Sequence, residues 1–338
     1  MKRSSLIMLL SFAAGVSGCD STGVSECTNA STGAEAKYVA NTLLVPQQRA
    51  DYALDLNGDG KLDNQLGNII GALMAQNLDT QAGVTTAVTD GSVLLLLDEK
   101  AADLSSNDCG TTDVSAGVKP ATPPKYDGTD ALTINSALGG GTFKGKISAG
   151  TFNSNSPVTA TTPTMLTIQL PLVAGSDPVK LNISGAHIQY TKAGDGIMKA
   201  QLNGAIKNSD VQGNIIPNVA MLLSMRVAVD PTTSTNKQIL SIFDTGGTAE
   251  SPVTTCGATC KNTDGSCAKK GDGKIDVCEV ATNSIISNVL APDVQLYNST
   301  VDAAGKVTEG TTYMPNKDNK AKDSLSLGLS FTAVKASF

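Results

Sequence analysis

Apolar and polar residues alternate with period two along much of the chain. Near its end Leu325, Leu327, Leu329, Phe331 and Ala333 alternate strictly, which predicts a half-buried terminal strand. Alternating or continuous apolar runs predict further strands at 38–46, 92–98, 165–172, 179–190, 197–206 and 238–243. The run Ala193-Gly194-Asp195-Gly196 supplies a turn between two of them. Leu66, Ile69, Ile70 and Leu73 follow the helical spacing instead, so a helix is expected from about residue 64. Residues 215–229 read as a short helix passing into a strand. Residues 117–128 hold three prolines and mark a long connection or a subdomain boundary. The pattern predicts a mainly β fold: an antiparallel sandwich or jelly-roll-like body with one or two short helices and disulfide-stapled loops.

The amino terminus follows a different pattern. Met1, Lys2 and Arg3 precede the apolar stretch 6–16 (LIMLLSFAAGV), a basic segment and an apolar core too short to cross a bilayer as a helix. The stretch ends in Val16-Ser17-Gly18-Cys19. This resembles the lipobox of bacterial lipoproteins. The resemblance implies diacylglycerol on the Cys19 thiol, cleavage after Gly18 and acylation of the new amino terminus. Membrane lipid, reached through acylated Cys19, is then the first expected partner, and two or more chains anchor stably where one holds marginally. The expected organisation is a signal peptide at 1–18, a lipidated polar tether at 19–36 and a β-rich extracytoplasmic domain at 37–338. The expected location is the cell envelope, on the outer or inner membrane, facing the periplasm or the exterior. An ordinary signal peptide with Cys19 in a disulfide is the alternative.

Charge and cysteine content fit that address. Losing Lys2 and Arg3 with the leader takes the formal charge from −6 to −8. No Lys/Arg cluster is present to neutralise phosphates, which argues against nucleic-acid binding. With Cys19 lipidated, six of the seven cysteines remain: Cys27, Cys109, Cys256, Cys260, Cys267 and Cys278. An even remainder in an exported protein reads as three disulfides. Proximity suggests pairing within the last four and Cys27 with Cys109. A four-thiolate zinc site is the rival for that cluster, although it lacks the paired short spacings of a zinc ribbon.

One hexapeptide occurs twice. Gly58-Asp59-Gly60-Lys61-Leu62-Asp63 reappears as Gly271-Asp272-Gly273-Lys274-Ile275-Asp276. The first copy extends back to Asp55 and Asn57, which places oxygen-bearing side chains at alternate positions 1, 3 and 5, a glycine at 6 and an acid at 9. This resembles the calcium loop of EF-hand and dockerin proteins. Calcium takes hard oxygens, the glycine permits the sharp turn, and position 7 offers its backbone carbonyl. The resemblance implies a structural calcium ion held by Asp55, Asn57, Asp59, the Lys61 carbonyl and Asp63, with Leu62 anchoring the loop to a core. Position 12 departs from the pattern, being Leu66 instead of an acid. In the second copy Asp272, Asp276 and Glu279 fall at positions 5, 9 and 12, but positions 1 and 3 are Ala268 and Lys270. Asp264 would then have to reach in from outside the loop. Asp-Gly and Asn-Gly are also ordinary turn formers.

Catalytic signals are sparse. The single histidine, His187, lies on the strand face opposite Ile188 and Tyr190 and is expected to be solvated. No Gly-x-Ser-x-Gly elbow supports a triad, and Gly139-Gly140-Gly141 does not continue as a P-loop. Carboxylate-based hydrolysis would need only two acids about 5–10 Å apart, but the chain has no tryptophan to form a glycan platform. The expectation is a non-catalytic, calcium-stabilised envelope lipoprotein with a structural, adhesion or binding role, its partner an envelope protein or glycan. A carbohydrate-binding or dockerin-like module is the first alternative and a carboxylate-based hydrolase the second.

Overall fold

The computed structural model describes residues 27–30, 32–75, 79–171, 178–244 and 271–338. Cys19, Cys256, Cys260, Cys267, Asp264, Ala268 and Lys270 lie outside the described residues. Nine strands form one antiparallel sheet: β1 (Ala34–Leu44), β2 (Leu95–Ala101), β3 (Asn107–Ala116), β4 (Gly141–Ser148), β5 (Thr151–Ser154), β6 (Leu166–Leu170), β7 (Val179–Ala193), β8 (Gly196–Lys207) and β11 (Ser324–Lys335). A separate ribbon pairs β9 (Thr300–Val301) with β10 (Val307–Thr308). The mainly β, antiparallel expectation holds.

The strand order is β5-β4-β3-β2-β1-β11-β8-β7-β6, and β5 also pairs with the C-terminal half of β7. Every strand but β6 therefore has two neighbours in a closed ring, which removes the exposed edges an open sheet would present. β6 lies on the N-terminal half of β7, over Val179–Ile183. Phe143, Ile147, Phe152, Tyr190 and Leu97 belong to the main core, with Phe152 stacked on Tyr190 at 5.1 Å between ring centres. The 117–128 segment joins β3 towards β4, and Pro120 and Pro124 sit against Gly91.

Residues 293–323 form a second layer outside β7, β8 and β11. Leu56, Ala205, Val294, Leu296, Tyr297 and Tyr313 make a separate buried cluster there. Asp323 fastens the layer: its carboxylate accepts from the backbone N–H groups of Leu296 and Tyr297, both at 3.0 Å, and from the hydroxyls of Ser299 and Ser324. Two expectations are corrected here. The terminal strand is not half-buried, because Ser324 and Ser326 are covered as fully as the leucines beside them and Ser330 is buried too. His187 is not solvated; it is 7% exposed. The register of β7 against β8 shifts between Ser184 and His187, and Gly185 there has φ +60° and lies under the Tyr313 hydroxyl.

Burial holds the His187 imidazole neutral, lowering its pKa to about 4. The unfolded chain therefore binds the extra proton between about pH 6.5 and 4, and stability falls as pH drops through that window. The loss should be on the order of 3 kcal/mol. Urea unfolding of the parent and of His187→Gln should give profiles that converge as pH falls from 7 to 4; parallel profiles would contradict a buried neutral imidazole.

Helices are more numerous than expected. α1 (Gln65–Ala75) follows the first acidic loop where the periodicity placed it, and α2 (Thr80–Thr89) begins on an Asp79 cap that accepts from the Ala82 N–H. The stretch expected to pass from helix into strand is helical throughout: α3 (Asn208–Asp210), a π turn at Val211–Ile215, and α4 (Ile216–Val229). Pro217 has no N–H to return to the preceding turn, which accounts for the wider turn before it. The strand expected at 238–243 is instead the end of α5 (Ser234–Phe243), started by the Thr233 side chain on the Asn236 N–H. α6 (Val277–Thr282) and α7 (Ser284–Val289) complete this helical cap.

Candidate cation loops

The first acidic loop is closed by a two-residue bridge between Leu54 and Asp63. Inside it the carboxylates and amide face the loop's own backbone. Asp55 accepts from the N–H groups of Gly58 at 2.7 Å and Gly60 at 2.8 Å. Asn57 accepts from Asp59, and Asp59 accepts from Lys61 at 2.9 Å. Asp63 accepts from Leu56 at 3.1 Å. Gly58 and Gly60 have φ +79° and +80°, a backbone conformation that the loop needs and glycine adopts without strain.

Asn57 and Asp63 are almost fully buried, and the Asn57 Nδ2 has no partner. Burial pushes the Asp63 pKa up to about 7, and the negative charges of Asp293, Asp59 and Asp55 add to the rise. The Arg49 guanidinium is the cation nearest this group, 3.2 Å from Asp293 and 3.9 Å from Asp63. Asp293 in turn accepts from the Ser326 N–H and hydroxyl, which ties the loop to β11. Leu62 does not anchor the loop, since it is 61% exposed. Leu56, wholly buried in the outer cluster, does so instead.

The second loop has the same hydrogen bonds from a different chain connection. Asp244, at the end of α5, accepts from the N–H groups of Gly271 and, at 2.8 Å, Gly273. These are the two glycines equivalent to Gly58 and Gly60, again with φ +75° and +79°. Asp272 accepts from Lys274 at 2.9 Å, as Asp59 does from Lys61. Asp244 thus takes the place of position 1 across the intervening residues 245–270, and α5 stands where an incoming helix would. Ala268 and Asp264, on which the contiguous alignment drew, lie outside the described residues. Ile275 at position 8 is buried, and its N–H and carbonyl both bond the Ser224 hydroxyl.

Asp276 and Glu279 form a capping box on α6, each side chain bonding the other's N–H at 3.0 Å. The remaining Glu279 oxygen, Oε1, is buried without a partner. Burial pushes Glu279 up to about 8, and the Asp276 and Asp244 carboxylates beside it push in the same direction. A buried carboxylate beside two partly exposed ones calls for a proton or a cation between them. The oxygen-only donor set suits a hard divalent ion. Among the described residues, however, no three His, Cys, Asp or Glu side chains are gathered tightly enough to hold a metal ion.

Of the cysteines, Cys27 pairs with Cys109 as proximity suggested. Cys278, on α6, is also disulfide-bonded. Cys27 is pinned further by Asn155, which accepts from its N–H and donates to its carbonyl. No described helix is long and apolar enough to cross a membrane. Comparison with protein-family models, curated proteins and solved structures finds no match.

Proposed function

We propose that this protein is a lipid-anchored envelope protein whose β body is held rigid by calcium at two loops and serves a structural, adhesion or binding role. The observation that carries the cation reading is Asp244. It reproduces the bonds of Asp55 although 26 residues, 245–270, separate it from the rest of its loop. A simple turn has no need of an aspartate brought in from a distant helix end. The unpartnered Glu279 oxygen beside it adds a ligand-like group that the first loop lacks.

The anchor rests on the lipobox-like residues before Cys19. The Cys27–Cys109 disulfide fastens the tether, eight residues after Cys19, to β3. With ligand at a hundred times its Kd, one site adds about 2.7 kcal/mol, and extracellular calcium sites work at about 10⁻⁴–10⁻³ M. Melting curves in millimolar calcium should lie above those in chelator; superimposed curves would remove calcium from the proposal. Cys19→Ser should move the protein from the membrane to the soluble fraction, and retention in the membrane would remove the anchor.

A further inference from the structure

A cavity of about 240 Å³ lies between the helical cap and the sheet. Leu66 and Leu73 of α1, Leu223 of α4, Phe243 of α5, Leu290 and Leu325 of β11 are among its walls. Every described residue lining it is Leu, Ile, Val, Ala or Phe. Interiors normally close such voids to packing densities like those of organic crystals. Apolar cavities of about 150 Å³ stay dry and take benzene-sized guests, and this one is larger. It also reaches the surface: Ile69, Leu73, Val219 and Ile242 are only partly buried at its edge, and Ala75 is exposed.

The lining decides what could enter. A peptide segment would bring N–H and C=O groups, and a sugar its hydroxyls, into walls with nothing to bond them. A hydrocarbon chain brings none. A methylene occupies about the volume of a water molecule in the liquid, roughly 30 Å³, so the space suits a chain of about eight carbons. We propose that this cavity binds one linear hydrocarbon chain, such as the tail of a fatty acid or lipid, with the polar head left outside at the mouth. Leu66, just after the first acidic loop, and Phe243, beside Asp244 of the second, line the site, but no loop carboxylate does, and the proposal needs neither calcium nor the anchor.

Calorimetric titration of decanoate into the full chain carrying Cys19→Ser, so that no attached lipid competes, tests this directly. One saturable site is expected, with affinity rising about fourfold per methylene from hexanoate to octanoate. Decanedioate, charged at both ends, should not bind. Ala72→Phe or Val219→Phe fills the space and should weaken decanoate at least tenfold or so without lowering the melting temperature. Met221→Gln with Met225→Gln, on the exposed side of α4, should leave binding unchanged. Overhauser contacts from decanoate to Leu and Ile methyl groups of the unsubstituted cavity give the same answer without relying on a filled variant. Absence of saturable binding, binding undiminished in the filled variants, or contacts confined to Met221 and Met225 would overturn the proposal.

Discussion

Lys192→Met is expected to destabilise the protein by about 3–5 kcal/mol, because it strands a buried carboxylate. Glu99 on β2 is wholly buried, and both its oxygens lie 2.8 Å from the Lys192 ammonium of β7. Lys192 also bonds the Leu104 carbonyl. Burial raises the Glu99 pKa, while Lys192 and the Tyr190 hydroxyl pull it back. Tyr190 shares a 2.8 Å hydrogen bond with Thr112, so this polar group crosses the closed ring of strands. Without the ammonium Glu99 must take up a proton to stay buried, and the penalty should shrink as pH falls. Lys192→Met combined with Glu99→Gln should recover much of the loss, since both charges then leave together. Urea midpoints at neutral pH check it: a cost below about 1 kcal/mol for Lys192→Met would show that the pair is not buried as described.

The second large effect is expected from the Cys27–Cys109 disulfide. It closes a loop with a sequence separation of 82 residues, spanning β1, both early helices and β2. Loop-closure entropy for that length corresponds to about 4–5 kcal/mol, and losing a native disulfide usually costs about 2–5. Cys27→Ser with Cys109→Ser should therefore lower the melting temperature by several degrees and free the segment before β1. Limited proteolysis should then cut near residue 30 in the variant before it cuts the parent. Identical melting and cleavage would mean that the Asn155 bonds alone hold that segment.

Much of this fold could be read from the alternation of side chains, and the places where the reading failed have a common cause. The strands at 179–190 and 197–206 sit where period two put them, because one face of each packs on the main core. Ser324 and Ser326 looked like solvent positions for the same reason, yet residues 293–323 cover them and bond their hydroxyls through Asp293 and Asp323. A covering layer made of irregular chain leaves no periodic trace. The run Ile239, Leu240, Ile242 and Phe243 fits a short buried strand and a helix equally well. The Thr233 cap decides for the helix.

That helix was also the missing signal for the second loop. An apolar helical stripe ending on Asp244 could have been read as an incoming helix with its first ligand, but residues 245–270 hid the link to Gly271. In the first loop every candidate lay within nine consecutive residues, 55–63, and Asp55, Asn57, Asp59 and Asp63, expected as calcium ligands, each accept a hydrogen bond from the loop's own backbone. Leu62 is not the anchor, because the anchoring position moved to Leu56 under the outer layer.

On the proposed reading, Asp55 and Asp244 play the same part in two calcium loops. Calorimetric titration of calcium into the full chain, into Asp55→Asn and into Asp244→Asn tests it most directly. Two sites are expected in the parent and one in each variant, the surviving site keeping its affinity. No saturable calcium uptake by the parent, or two undiminished sites in Asp244→Asn, would contradict it.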